Sequence, residues 1–252
     1  MSRLSEAFPK DRTALICHAM GGDPSVAATA GVLRALDDAG ADVIELGLPF
    51  SDPIADGPVL QAAATRALSG GATFSALMEM IRGLKLRAPV VAMGYMNPIE
   101  ALGAVRFAKA LATAGLCGAI VPDLPLEEAT PLRDALAAAG LDLISLVAPT
   151  TGARRAKAIA SQARGFLYTV SVTGVTGAQA ELPKDLAERL SELRAISKVP
   201  VAVGFGISRP EQAAALKGKA DGIVVGTAIV AANQKGGPAA VAELVRSLRA
   251  AL

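Results

Sequence analysis

Residues 199–228 read VPVAVGFGISRPEQAAALKGKADGIVVGTA. The run 199–203 is short, apolar and rich in valine. Gly204 and Gly206 break it, an alanine-rich helical stretch follows, and a second apolar run at 222–226 ends in Gly226-Thr227-Ala228. Strand, glycine turn, helix, strand is the pattern of a parallel βαβ unit. Each strand here ends in glycine and runs towards a helix. That is where a (β/α)8 barrel binds phosphate, after its last two strands. Backbone N–H groups and the helix dipole attract the anion, and glycine lets it come close. The alternative is that the glycines only make the turns.

Working outward, similar runs recur at 14–19, 43–47, 89–93, 118–121, 142–148 and 166–170, with Ala/Leu-rich stretches such as VAATAGVLRALDDAG and EEATPLRDALAAAG between them. Eight strand–helix units in 252 residues, with no linker, predict an α/β fold: one closed (β/α)8 barrel domain spanning 1–252. An extra N-terminal helix and a helical insertion after the second strand, from Gly57 to Leu68, are expected with it. The rival is an open doubly wound sheet, which carries a glycine fingerprint after its first strand. The first turn here, Gly21-Gly22-Asp23-Pro24, does not match it. Asp23 before Pro24 reads as a helix N-cap, and Ser208 with Glu211 has capping-box spacing.

Composition narrows the chemistry. Apolar residues make up 52% of the chain and aromatics 3%, so the core is largely aliphatic. A net charge of +2 with scattered basic residues gives no nucleic-acid or membrane footprint. Cys17 and Cys117 fit neither a disulfide framework nor a metal cluster, and a single histidine excludes a His-rich metal site. Any Ser-His-Asp or Cys-His triad would have to use His18 as its base. MSRLSEAF lacks the apolar core of a signal peptide, and no apolar run approaches the ~20 residues of a membrane span. A cytoplasmic protein is expected.

The second strand reads Val43-Ile44-Glu45-Leu46-Gly47. Side chains alternate faces, so Ile44 and Leu46 meet the helices and Glu45 points into the lumen. A carboxylate there is costly unless it is paired or used. Both a structural hydrogen-bond network and a catalytic role satisfy that demand. The following loop, PFSDPIADGP (49–58), offers Asp52 and Asp56. Either is a turn residue or the second member of a carboxylate pair that divides acid and base duties. After the sixth strand, the Gly/Thr-rich stretch 171–178 reads either as a plain flexible loop or as a lid, for which it has hinges and few apolar anchors.

The strings VIELGLPFSDPIADGP (43–58), MGYMNP (93–98), VPDLP (121–125), YTVSVTGVTGA (168–178), VAVGFGIS (201–208) and VVGTAIV (224–230) resemble the signature segments of the tryptophan synthase alpha subunit family. They occur in that family's order and cover essentially the whole chain. The resemblance implies retro-aldol cleavage of indole-3-glycerol phosphate to indole and glyceraldehyde 3-phosphate, without metal or organic cofactor. It places the catalytic glutamate at Glu45, the carboxylate facing the indole N–H at Asp56, and a tyrosine beside the substrate at Tyr168. It puts substrate and phosphate contacts at Gly177, Gly206, Gly226, Thr227, Phe205, His18 and Tyr95. Thr227 stands where the family commonly has serine, a change that spares the backbone N–H. His18 replaces an aromatic or apolar residue at the indole end. Imidazole is flat enough to stack there, but burying it costs free energy unless it finds a hydrogen bond.

The same resemblance implies a pyridoxal-phosphate beta subunit as partner, in an α2β2 heterotetramer. The loops 49–58, Tyr95 to Pro98 and 171–183 would form the interface. Two other readings compete. A related phosphosugar barrel would share the phosphate turns but not Glu45 with the SDPIADGP loop. A degenerate regulatory subunit is favoured only by His18.

Overall fold

The computed structural model describes residues 3–170, 185–204 and 206–252. Eight parallel strands close into one barrel: β1 (Ala14–Met20), β2 (Val43–Gly47), β3 (Val90–Met93), β4 (Gly118–Ile120), β5 (Asp142–Val147), β6 (Leu167–Val170), β7 (Val201–Gly204) and β8 (Gly222–Val225). β8 returns to pair with β1, Ala14 opposite Gly222 and Cys17 opposite Val225, so no sheet edge is left open. The strands read as continuous apolar runs because both faces are covered. Ile44, Leu46 and Val203 pack outward under the helices, while Ile16, Val43, Val91, Ile144 and Val224 fill the lumen.

The expected N-terminal helix is short, Arg3–Glu6. Its Leu4 is fully buried in the lumen cluster, and Phe8 packs on Phe166 with ring centroids 5.4 Å apart. These side chains close the end of the barrel opposite the strand C-termini. The insertion after β2 is helical as expected: Pro58–Ser69 precedes the helix Phe74–Arg82. Pro58 sits in the first turn, where its missing N–H costs nothing.

Two caps differ from the sequence reading. Asp23 is not an N-cap. Ser25 takes that place, its Oγ accepting from Ala28 N at 3.1 Å, because Val26 rather than Pro24 opens the helix Val26–Asp38. The buried Asp23 carboxylate instead accepts two 2.8 Å bonds from Arg66, tying the β1 loop to the inserted helix. Before the helix Pro210–Leu216, the side chain that reaches back is Gln212 and not Glu211. Its Oε1 accepts from Ser208 N at 2.9 Å and Arg209 N at 3.1 Å, since the helix starts at Pro210 and Gln212 then occupies its third position. Among the described residues, no helix is long and apolar enough to cross a membrane.

Candidate active site

A cavity of about 350 Å³ opens at the C-terminal end of the barrel, lined among others by His18, Glu45, Asp56, Tyr168, Gly206 and Gly226. These six come from five strands, β1, β2, β6, β7 and β8, or the loops that follow them, which is how this fold builds a site. Gly177, Phe205 and the 171–183 loop lie outside the described residues.

Glu45 is 2% exposed and faces the lumen, as strand alternation requires. The β1–β2 register sets it opposite His18, whose Nδ1 hydrogen-bonds Glu45 Oε1 at 2.7 Å, and because a carboxylate oxygen accepts, Nδ1–H is the donor. So the imidazole does find a hydrogen bond, to a carboxylate that lines the same cavity. Gly47, two residues on, makes this possible. A Cβ there would stand 2.8 Å from His18 Cε1 and 3.0 Å from Nε2. Glu45 Oε2 and His18 Nε2 have no hydrogen-bond partner among the described residues. Burial by itself lowers the His18 pKa, but the hydrogen bond to Glu45 and the charges of Glu45 and Asp56 outweigh it, and the net shift is upward.

Of the two loop aspartates, Asp52 is exposed and Asp56 is 4% exposed. A turn places Asp56: its N–H bonds Pro53 O at 3.0 Å, and Gln61 Nε2 holds its carbonyl at 2.9 Å. Burial raises the Asp56 pKa; Glu45 adds to this, while His18 and a hydrogen bond from Tyr95 oppose it. Tyr95 also accepts from Ala55 N at 3.2 Å and packs on Phe50. It is not on the wall of this cavity. Tyr95 stands just before the helix that begins at Met96, and its hydroxyl supports the Asp56 carboxylate.

Tyr168 is 5% exposed on the lumen face of β6. Gly204 on the neighbouring β7 leaves room for its ring, since a Cβ there would come within 2.7 Å of Cε2. Burial, then the charges of Glu45 and Asp56, push the Tyr168 pKa well up, so it stays a phenol at neutral pH.

At the end of β8, beside His18, Gly226 precedes the helix that begins at Thr227. The Gly226 carbonyl receives the N–H groups of Ile229 and Val230 at 2.9 and 3.1 Å. Those of Thr227 and Ala228 come before the helix's own bonds and point to the helix's positive end. Gly206 holds φ = 86°, a conformation that favours glycine. The Ser208 N–H is already engaged by Gln212. Thus Glu45, Asp56, Tyr168, His18, Gly206, Gly226 and Thr227 share one cavity. The His18–Glu45 bond and the Tyr95 support of Asp56 were not read from sequence. The first had a signal: both residues are inward positions on adjacent strands.

The family model described as tryptophan synthase alpha chain matches residues 4–249. A tryptophan synthase alpha chain from Thermosynechococcus vestitus is 48% identical over 259 residues, covering 99% of this chain and 97% of the relative. One from Carboxydothermus hydrogenoformans is 47% identical over 236 residues, covering 91% and 88%. Among solved structures, tryptophan synthase of Mycobacterium tuberculosis matches with TM-score 0.92 at 36% identity, covering 99% of this chain and 98% of that one. A mutant tryptophan synthase alpha subunit from Pyrococcus furiosus matches with TM-score 0.87 at 35% identity, covering 94% and 98%. With a full-length match, relatives near half identical and the same closed barrel, the chain belongs to the tryptophan synthase alpha chain family.

Proposed function

We propose that this enzyme cleaves indole-3-glycerol phosphate into indole and glyceraldehyde 3-phosphate, and that it passes the indole to a beta subunit that completes L-tryptophan. The observation that carries the reading is the pairing of two buried carboxylates, Glu45 and Asp56, with a helix N-terminus at Gly226–Thr227 across one cavity. At about 350 Å³ the cavity falls in the range of small-molecule sites, roughly 300–1,000 Å³.

The chemistry assigns each residue a task. Breaking the bond between the indole ring and the glycerol chain needs C3 of the ring protonated, so that the ring takes up the bond's electrons. Glu45 Oε2 supplies that proton. Asp56 accepts a hydrogen bond from the indole N–H and stabilises it as the ring becomes positive. Stabilisation that grows along the reaction lowers the barrier, whereas equal stabilisation throughout does not. The proton of the neighbouring side-chain hydroxyl then leaves as the aldehyde forms, and Glu45, now a carboxylate, accepts it. Tyr168 packs beside the substrate. The backbone at Gly206, Gly226 and Thr227 holds the phosphate, and its distance from Glu45 fixes the ring at the acid.

For the partner, the supporting feature is the loop 49–58 itself. It carries Asp56 on its buried side and Ile54, 78% exposed, on its outer side. A partner docked there would order the loop that holds a catalytic group. Steady-state indole release from indole-3-glycerol phosphate tests both halves. The isolated chain should be slow, and a beta subunit of the same organism should raise turnover about tenfold or more, as ordering worth ~1.4 kcal/mol or more would do. A chain that releases no indole under either condition rules out the lyase reading. A fast chain that neither binds nor responds to the beta subunit rules out the subunit reading and leaves a self-sufficient lyase.

A further inference from the structure

His18 and Glu45 form a buried pair. Each is 2% exposed, and the Nδ1–Oε1 distance is 2.7 Å. The pair is built by three strands. β1 and β2 set the residues in register, Gly47 of β2 clears space for the imidazole, and the Gly226 turn after β8 lies against its other side, where a Cβ would be 3.5 Å from His18 Cβ. Only one carboxylate oxygen is tied. Oε2 has no hydrogen-bond partner among the described residues, and Glu45 lines the cavity. A carboxyl group held by one oxygen has a fixed plane, and its other oxygen a fixed aim.

We propose that His18 is a positioning residue for Glu45: Nδ1–H holds Oε1 so that Oε2 faces the reacting carbon, and it stabilises the carboxylate left when the proton departs. This rests on the lyase reading of Glu45. The protons balance. One leaves Oε2 for C3 of the indole ring, the new carboxylate keeps its bond from Nδ1–H, and the substrate's hydroxyl proton returns to Glu45 as the carbon–carbon bond breaks. The pair ends with the protons it began with, so no co-reactant is needed. Among the described residues, the titratable groups that act on the pair are Asp56 and Tyr168. Asp56 faces it from the loop after β2, and Tyr168 of β6 faces both carboxylates as a neutral phenol. Gly226 on the β8 side has no titratable group. A buried imidazole without Glu45 would lose affinity for its proton, and with Glu45 it gains it.

His18 is the only histidine in the chain, so a tag-free protein labelled with ¹⁵N-histidine reports on this pair alone. The wild-type ring should carry its proton on Nδ1 and titrate above the ordinary value of about 6.5. In Glu45→Gln the titration should fall below that value. Kinetics then test the role. His18→Phe should lower kcat at least tenfold with little change in KM, whereas His18→Gln, whose amide N–H can still donate to Oε1, should recover part of the loss. In the Glu45→Gln background, His18→Phe should cost nothing further. A side chain that merely filled space would give additive losses and no rescue by Gln. An unchanged His18 titration in Glu45→Gln overturns the proposal, as does wild-type turnover in both His18 variants. Absence of indole release from the wild type, with the titration still coupled, overturns the lyase reading instead and leaves the pairing intact.

Discussion

Consider Gly47→Ala. One methyl group is added on β2, two residues past Glu45, and it would lie 2.8 Å from His18 Cε1, 3.0 Å from Nε2 and 3.2 Å from Met20 Sδ. Carbon atoms in good contact stand roughly 3.5 Å or more apart, so the imidazole must retreat by about 0.7 Å. The 2.7 Å bond to Glu45 has little slack, since a separation near 3.4 Å lies beyond the usual range of about 2.7–3.2 Å. A hydrogen bond to a charged group contributes about 1.5–3 kcal/mol, which corresponds to a roughly tenfold to hundredfold loss if it acts in the transition state. Global stability is a poor readout of this change. Replacing glycine by alanine restricts the unfolded chain and favours folding by about 0.4–1 kcal/mol, which offsets part of the strain. The informative assays are kcat for indole release and the His18 titration. Turnover should fall about tenfold or more and the His18 pKa should move down. A variant with turnover within about twofold of wild type and an unchanged titration would refute this packing argument.

Glu45→Gln is close to isosteric and removes the transferable proton, so turnover should fall about 10²–10⁴-fold in a protein with an unchanged circular dichroism spectrum; more than a tenth of wild-type turnover would remove Glu45 as the main acid. Asp56→Asn should reduce kcat more than it raises KM, because its bond to the indole N–H strengthens towards the transition state; an effect on KM alone would contradict that role. Gly226→Val should sharply weaken binding of glycerol 3-phosphate by calorimetry, while Gly226→Ala should fold normally, because its Cβ would meet His18 at an ordinary 3.5 Å; undiminished binding in the valine variant would place the phosphate elsewhere. The pair also predicts a pH dependence of stability. The His18 pKa is raised in the folded state, so its contribution is complete below the unfolded value of about 6.5 and is lost as pH rises through the higher folded value. In urea titrations, the stability advantage of wild type over His18→Gln should therefore shrink as pH rises above about 6.5, and an advantage that grows there would reverse the assignment.

The sequence by itself determined the barrel, and it did so through local periodicity. Eight short apolar runs separated by helical stretches leave few alternatives, and alternation along 43–47 is enough to turn Glu45 inward. The glycines after β7 and β8 likewise marked the turns at Gly206 and Gly226 that now line the cavity. Other features depend on what lies across the barrel. Asp52 and Asp56 are equivalent as letters, and only the turn at Pro53 and the Tyr95 hydroxyl make Asp56 the buried one. Asp23 looks like a cap until Arg66, 43 residues away, is brought to it. His18 and Glu45 were each read as inward-facing or pocket residues, but their bond requires the register between β1 and β2. That register is set when eight strands close with a common tilt and stagger. A period of two belongs to each strand alone, whereas stagger belongs to the closed barrel, so the faces were legible in the sequence and the partners were decided by the tertiary structure.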